Sequence, residues 1–320
     1  MRSISYSTFV MLTVVFWCIV TQNARSEPGQ DQDATTQTAS AQPAPDRTLS
    51  LPSDTRHTLW IPSDYQHQGK TIDVLVDFHS SPSLVRASTR LAKLNCVVIS
   101  VKYAGLSSVY RVPFSKNRQL FAAILDEALN ALRAETDFPK DAQWGQLAIT
   151  SFSAGFGAVR EILKTQDDFE RINGIFMVDS LYCGYVGDST DAIEKGVVSP
   201  PLMKDFLRFA KLAADGEKVM IITHSMVPTP GYASTCETAD YLMDQLDLEP
   251  EPVAIVVEPA IKSEIQAVKI RLYRKAIRKG FSLYGSSGGG GADHVAHMRN
   301  MDYWLPALPI AKREAHTKVP

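Results

Sequence analysis

The chain has no basic cluster, no repeat, no long apolar run beyond its first residues and little cysteine, and each absence removes a class of function. Its 33 Lys and Arg stand against 35 Asp and Glu for a net charge of −2, spread evenly, so the electrostatic footprint of a nucleic-acid-binding protein is missing and no nucleic-acid partner is expected. After residue 26 nothing approaches the ~20 consecutive apolar residues of a membrane span, so no span is expected in the mature chain. Metal chemistry has little to use, since there is neither HExxH nor CxxC and the one tight pair is His294 and His297 at i, i+3; no metal is expected. The exit of the first apolar strand reads His79-Ser80-Ser81-Pro82 where a dinucleotide fold needs glycines, and Gly288–Gly291 lacks the Lys-Ser/Thr ending of a phosphate loop. No cofactor is expected.

What is there is a globular chain. With 320 residues, 45% of them hydrophobic and 21% charged, it can bury a full core in a single domain. Residues 1–26 read as a signal peptide: Arg2 supplies the positive end, Phe9 to Val20 the apolar stretch, and Ala24-Arg25-Ser26 the small-x-small cleavage site, which predicts export to the periplasm or the cell exterior. The net charge without Arg2 and Arg25 falls from −2 to −4. Residues 27–50, rich in Gln, Thr, Ala, Asp and Pro, lack the large side chains that would offset ordering entropy and read as a flexible linker. The catalytic domain is then 51–320. Of the four cysteines, Cys18 lies in the leader and Cys96 in an apolar run as a small hydrophobe. Cys183 and Cys236 fall in loops, where export is compatible with a disulfide between them.

Apolar, β-branched runs at Ile72–Phe78, Cys96–Tyr103, Leu147–Ser151, Ile175–Val178, Val219–Thr223 and Phe281–Tyr284 alternate with helical stretches. Such alternation predicts an α/β fold, a mostly parallel central sheet with helices on both faces. The clearest helix runs from about Lys116 to Ala134, with Ser115 as its cap; a last helix is expected from Val295 to Leu305. Ligands of such a sheet bind outside the carboxyl ends of its strands, where the chain places His79-Ser80-Ser81, Ser153-Ala154-Gly155, Asp179-Ser180, His224-Ser225 and Asp293-His294.

The run Leu147 to Arg160 is a short apolar strand, a serine among small residues, then a helix start. A nucleophile elbow needs that order, because its serine holds an unusual backbone conformation that only small neighbours accommodate. Ser153 is the candidate nucleophile. A serine hydroxyl needs a base, a carboxylate to orient the base, and N–H donors for the oxyanion. All occur at strand exits, in the chain order serine, acid, histidine.

On three motifs, Ser151-Phe152-Ser153-Ala154-Gly155, Asp77-Phe78-His79-Ser80-Ser81 and Asp293-His294, the chain resembles the α/β-hydrolase superfamily from about Thr58 to Leu308, with serines at 151 and 80 where the pattern has glycine. The resemblance implies an oxyanion hole from the backbone N–H of Ala154 with a second N–H from Ser80 or Ser81. It implies His294, just ahead of the last helix, as the base, with His297 as the alternative. The usual acid position after Val219–Thr223 offers no carboxylate until Glu237. Asp179 on the preceding strand, where some members carry their acid, is the preferred residue and Glu237 the alternative. The expected function is an exported serine hydrolase that cleaves an ester or related small-molecule or polymer-derived acyl substrate through an acyl-enzyme. An acyltransferase with the same triad and a catalytically silent binding protein on the same fold are the alternatives.

Overall fold

The computed structural model describes residues 45–187, 196–260 and 268–314. The expected signal peptide, most of the expected linker and residues 188–195 lie outside the described residues.

Ten strands form one sheet among the described residues: β1 (Arg47–Leu51), β2 (Asp54–Ile61), β3 (Thr71–Phe78), β4 (Val97–Val101), β5 (Gln143–Phe152), β6 (Gly174–Val178), β7 (Val219–His224), β8 (Glu251–Val257), β9 (Ile270–Arg278) and β10 (Phe281–Ser286). Their order is β1-β2-β4-β3-β5-β6-β7-β10-β9-β8. The six inner strands from β4 to β10 are parallel, and antiparallel pairs extend the sheet at both sides.

The inner strands are apolar almost throughout because both of their faces are covered. On β3 and β4, Leu75 and Val98 belong to one cluster with Val85, Ala296, Trp304 and Leu305. Their neighbours Val74, Val76, Val97 and Ile99 point the other way, into a larger cluster with Phe121, Ile124, Val159, Phe206 and Leu242. The first face is covered by α1 (Pro82–Leu91), α8 (Gly291–Arg299) and the turns that follow it. The second is covered by α2 (Ser107–Lys116), α3 (Leu120–Ala134), α4 (Phe156–Ile162), α6 (Pro200–Asp215) and α7 (Thr235–Leu246). A short helix α5 (Gln166–Arg171) links α4 to β6. The fold is α/β, with a mostly parallel central sheet and helices on both faces, in the manner of an α/β-hydrolase.

Three boundaries differ from the sequence expectation. The lead-in ends before residue 50, because Arg47–Leu51 pairs antiparallel with β2 and Arg47 is held by Glu135 and Asp137. The helix expected from Lys116 starts at Leu120 instead, because Lys116 is the last residue of α2. Pro113 lies in the last turn of α2, and Asn117 leaves the helix at φ −125° and ψ 98°. Ser115 therefore caps nothing and donates to the Val112 carbonyl. The last helix starts at Gly291 and ends at Arg299, followed by single turns.

Candidate active site

Because the inner strands are parallel, the residues that follow β3, β5 and β6 emerge at one edge. They are His79, Ser153 and Asp179, and none is glycine, yet their φ angles are +77°, +46° and +42°. A non-glycine residue in the left-handed region costs on the order of 1–3 kcal/mol and persists only where its surroundings over-determine it. Here they do. Ser151 Oγ and Ser180 Oγ are 2.7 Å apart, and Ser180 Oγ donates at 2.9 Å to the carbonyl of Ser153. A hydroxyl has one proton, so Ser151 is the donor to Ser180, and the chain of two hydroxyls ties the elbow to β6. The serine at 151, where the hydrolase pattern has glycine, thus has a positioning role. Gly155 is required by close approach: a Cβ there would lie 2.5 Å from the Phe78 carbonyl oxygen. At Gly157 a Cβ would lie 2.4 Å from the Ser107 carbonyl oxygen on α2.

Asp179 is fully buried. Its Oδ1 accepts from the Ser225 amide at 2.9 Å and from the Thr235 hydroxyl, and its Oδ2 accepts from His294 Nδ1 at 2.6 Å. Burial works against the charge, but the His294 hydrogen bond, the neighbouring His297 and His294 and the Ser225 donor outweigh it and hold the carboxyl well below the usual carboxylate range. An ionised carboxylate only accepts, so Nδ1 of His294 carries the proton and Nε2 is left with its lone pair. The imidazole stacks on Phe152 with centroids 4.5 Å apart and planes at 25°. Phe152 directly precedes Ser153, so the end of strand β5 brings the His294 ring to the same edge as Ser153. The structure brings Asp179 and His294 into direct contact and Ser153 to the same edge; the Ser153 hydroxyl makes no hydrogen bond to the imidazole.

The other sequence candidates have different places. His297 has no exposed surface; its Nε2 lies 2.9 Å from Ser286 Oγ and its ring stacks near Trp304, so it faces the core beneath the site. Glu237 is spent on α7, where its carboxylate accepts from the Ser234 amide at 2.7 Å in a capping box and from Tyr185 Oη at 2.7 Å. That is the role of a first-turn acid. The Cys183–Cys236 disulfide is corrected: Cys96, Cys183 and Cys236 are all free. Cys183 is buried against the Ser199 carbonyl, whereas Cys236 lies on α7 at 3.4 Å from the Arg274 guanidinium.

Of the expected oxyanion donors, Ala154 is the second residue of a single turn, Ser153–Gly155, so its N–H has no partner inside that turn. The Ser80 hydroxyl donates to the buried Asp77 carboxyl at 2.6 Å. The Ser81 amide meets Met298 Sδ at 3.3 Å, a weak acceptor. Asp77 contrasts with Asp179. Ser80 and Thr150 both donate to its Oδ1 while its Oδ2 has no partner, and burial pushes it up to about 6 against those two hydrogen bonds. His79 Nδ1 lies 2.9 Å from Tyr110 Oη. Burial, with Lys102 and His294 nearby, pulls its imidazole down to about 4, so it stands neutral beside the site.

Beside Ser153 opens a cavity of about 340 Å³ lined by Leu106, Ser107, Ser153, Ala154, Phe156, Arg160, Tyr182, Cys183, Gly184 and Tyr232. Sequence reasoning missed Ser180, Thr235, Ser225 and Arg160. Ser180 and Ser225 had a signal in their places at strand exits; Thr235 reaches Asp179 across 56 residues, a separation with no local pattern. Among the described residues no group of three His, Cys, Asp or Glu is placed to hold a metal ion.

No family model matches the chain, and no curated protein matches it. Among solved structures, it is similar to a cold-adapted esterase from an Arctic intertidal metagenomic library, at 12% identity over 82% of this chain and 92% of that one, with a TM-score of 0.39. It is likewise similar to an uncharacterised protein from Capnocytophaga ochracea, at 12% identity over 83% and 65% of the two chains, TM-score 0.40. A mutant of the feruloyl esterase module from Clostridium thermocellum, complexed with sinapinate, is similar at 10% identity over 85% and 89%, TM-score 0.42. What this chain does has to be read from its own residues.

Proposed function

We propose that the protein is an exported serine hydrolase that cleaves an ester or related acyl substrate with Ser153 as nucleophile, His294 as base and Asp179 as the acid that orients it. The observation that carries the proposal is the 2.6 Å contact between His294 Nδ1 and a fully buried, ionised Asp179. It fixes the tautomer a general base requires, at the edge where Ser153 sits at φ +46°. Ser153 Oγ attacks the acyl carbon and its proton passes to His294 Nε2. The Ala154 N–H, joined by Ser81 as its amide turns from Met298 Sδ, holds the oxyanion. The alcohol leaves with the proton from His294, and the acyl-enzyme remains. Water, deprotonated by His294, then attacks the acyl carbon; the acid departs and the proton returns to Ser153. Export rests on the first 26 residues alone.

One observation favours the silent reading: the Ser81 amide already has a partner in Met298 Sδ, which an oxyanion would have to displace. Turnover separates the two. Purified protein is expected to release 4-nitrophenol from short-chain esters with a burst that matches the enzyme concentration, and Ser153→Ala to abolish it. A protein without turnover on any ester of a broad panel would be a binding protein on this fold.

A further inference from the structure

Of the residues that line the cavity, Arg160 is the charged one, and it has no counter-ion among the described residues. The nearest carboxylate in the chain, Glu161, is committed elsewhere: its oxygens take Arg118 at 3.1 Å and Lys164 at 2.8 Å. Arg160 Nε is buried without a hydrogen-bond partner; Glu161 favours its charge only from a distance, and Arg111, of the same sign, opposes it. Burial holds the guanidinium below its ordinary value, yet an arginine stays charged under any ordinary condition. A largely enclosed, unneutralised guanidinium with free donors is a costly element unless a ligand supplies the missing anion.

Its place says which part of a substrate would do so. Helical side chains lean toward the helix N-terminus, and the Arg160 guanidinium lies 5.3 Å from the Phe156 ring centroid, one turn back toward Ser153. A helical turn rises about 5.4 Å, so the charge stands a few carbon lengths from the nucleophile. The leaving alcohol must lie at His294, which gives it a proton, and His294 is not among the residues that line this cavity. The group that enters the cavity is therefore the acyl chain, with Phe156, Tyr182 and Tyr232 against its methylenes.

We infer that Arg160 is a specificity-determining residue which receives a carboxylate at the far end of the acyl chain, so that the substrate is a half-ester of a short dicarboxylic acid. This inference rests on the hydrolase reading for the reaction but not for the binding. Two measurements keep them apart. Monomethyl glutarate and dimethyl glutarate are titrated calorimetrically into Ser153→Ala protein, with and without Arg160→Gln; and the kcat/KM ratio of 4-nitrophenyl hydrogen glutarate to its methyl-capped diester is taken for the parent, Arg160→Gln and Arg160→Lys. A charged hydrogen bond of this kind is lost with a penalty of about 10- to 100-fold. Arg160→Gln should weaken monomethyl glutarate by that factor, with less effect on dimethyl glutarate, and lower the kcat/KM ratio by as much, chiefly through KM. Arg160→Lys should restore part of both. Should Arg160→Gln misfold, Arg160→Lys alone must still retain a preference for the anion. Monomethyl glutarate that fails to bind, or binds Arg160→Gln as well as the parent, overturns the inference. Arg160-dependent binding without any turnover would uphold the anion site and sink the hydrolase reading instead.

Discussion

Asn173 and Asp179 flank the same strand, β6, and are used in opposite ways. At the amino end, Asn173 Oδ1 accepts the Leu147 amide at 2.9 Å; beside it Asp73 takes the amides of Gln146 and Ala311, and Asn95 closes both backbone groups of Gln66. Every one of these side chains satisfies a neighbouring backbone group. At the carboxyl end three adjacent strands exit through non-glycine residues at positive φ, His79, Ser153 and Asp179, where the amino end has such residues in exposed turns such as those at Lys93 and Lys279, and polar side chains are matched to one another: Asp179 to His294, Ser151 to Ser180. Stability alone explains the first arrangement. It does not explain strain and buried charge gathered beside a cavity, which is where functional sites concentrate them. The amino end holds the sheet together, and the carboxyl end spends part of that stability on geometry.

The comparison breaks most visibly at the carboxyl end. Ser153→Ala and His294→Ala should each lower kcat/KM by about four to six orders of magnitude; Ser153→Ala should leave the melting temperature nearly unchanged, whereas His294→Ala, which takes a partner from the buried Asp179 carboxylate, should lower it. Asp179→Asn should cost about four orders of magnitude, since an amide no longer fixes the imidazole tautomer; a loss below tenfold would return the acid to another residue. Ser180→Ala, which unties the Ser153 carbonyl, should lower kcat about tenfold with KM nearly unchanged, as expected of a positioning residue that meets no substrate; a change confined to KM would count against that role.

At the amino end the expected effects reverse in kind. Asn173→Ala should remove about 1–2 kcal/mol of stability by leaving the Leu147 amide unpaired, read by urea denaturation, with kcat/KM unaltered. The last expected effect is a pH dependence. Asp77 has its folded value near 6, above the unfolded 3.8, so the folded state holds the extra proton. Its contribution to stability is complete below about pH 4 and is lost as pH rises through 6. His224, held down to about 3 by burial and Arg274, acts in the opposite direction, its contribution being lost as pH falls from 6.5. The difference between wild type and Asp77→Asn cancels His224 and should fall between pH 4 and 6. A flat difference would show that Asp77 is not raised.

The inner strands were legible because both faces are covered, so their apolar runs are continuous and stand out. The outer ones were not: β8 reads Glu-Pro-Val-Ala-Ile-Val-Val with alternate residues exposed, and β9 carries Arg271, Arg274, Lys275 and Arg278, a pattern set by solvent on one side. The candidate site was legible where local chemistry marks it, in Ser153 between small residues and in the strand-exit position of Asp179; His294, expected just ahead of the last helix, lies in the first turn of α8. Its support was not, because Thr235, Ser225 and Ser180 gain their meaning only from contacts between distant segments. Ser81 and Ser80 were equivalent on paper; the turn after β3 gives the hydroxyl of Ser80 to Asp77 and the amide of Ser81 to a methionine sulfur.

The claim that the carboxyl edge assembles a nucleophile is tested most directly by reacting the purified protein with a fluorophosphonate and locating the adduct by peptide mass. A single adduct on Ser153, formed far more slowly in His294→Ala and absent in Ser153→Ala, is the predicted result. An adduct on any other residue, or labelling that survives Ser153→Ala, would contradict it.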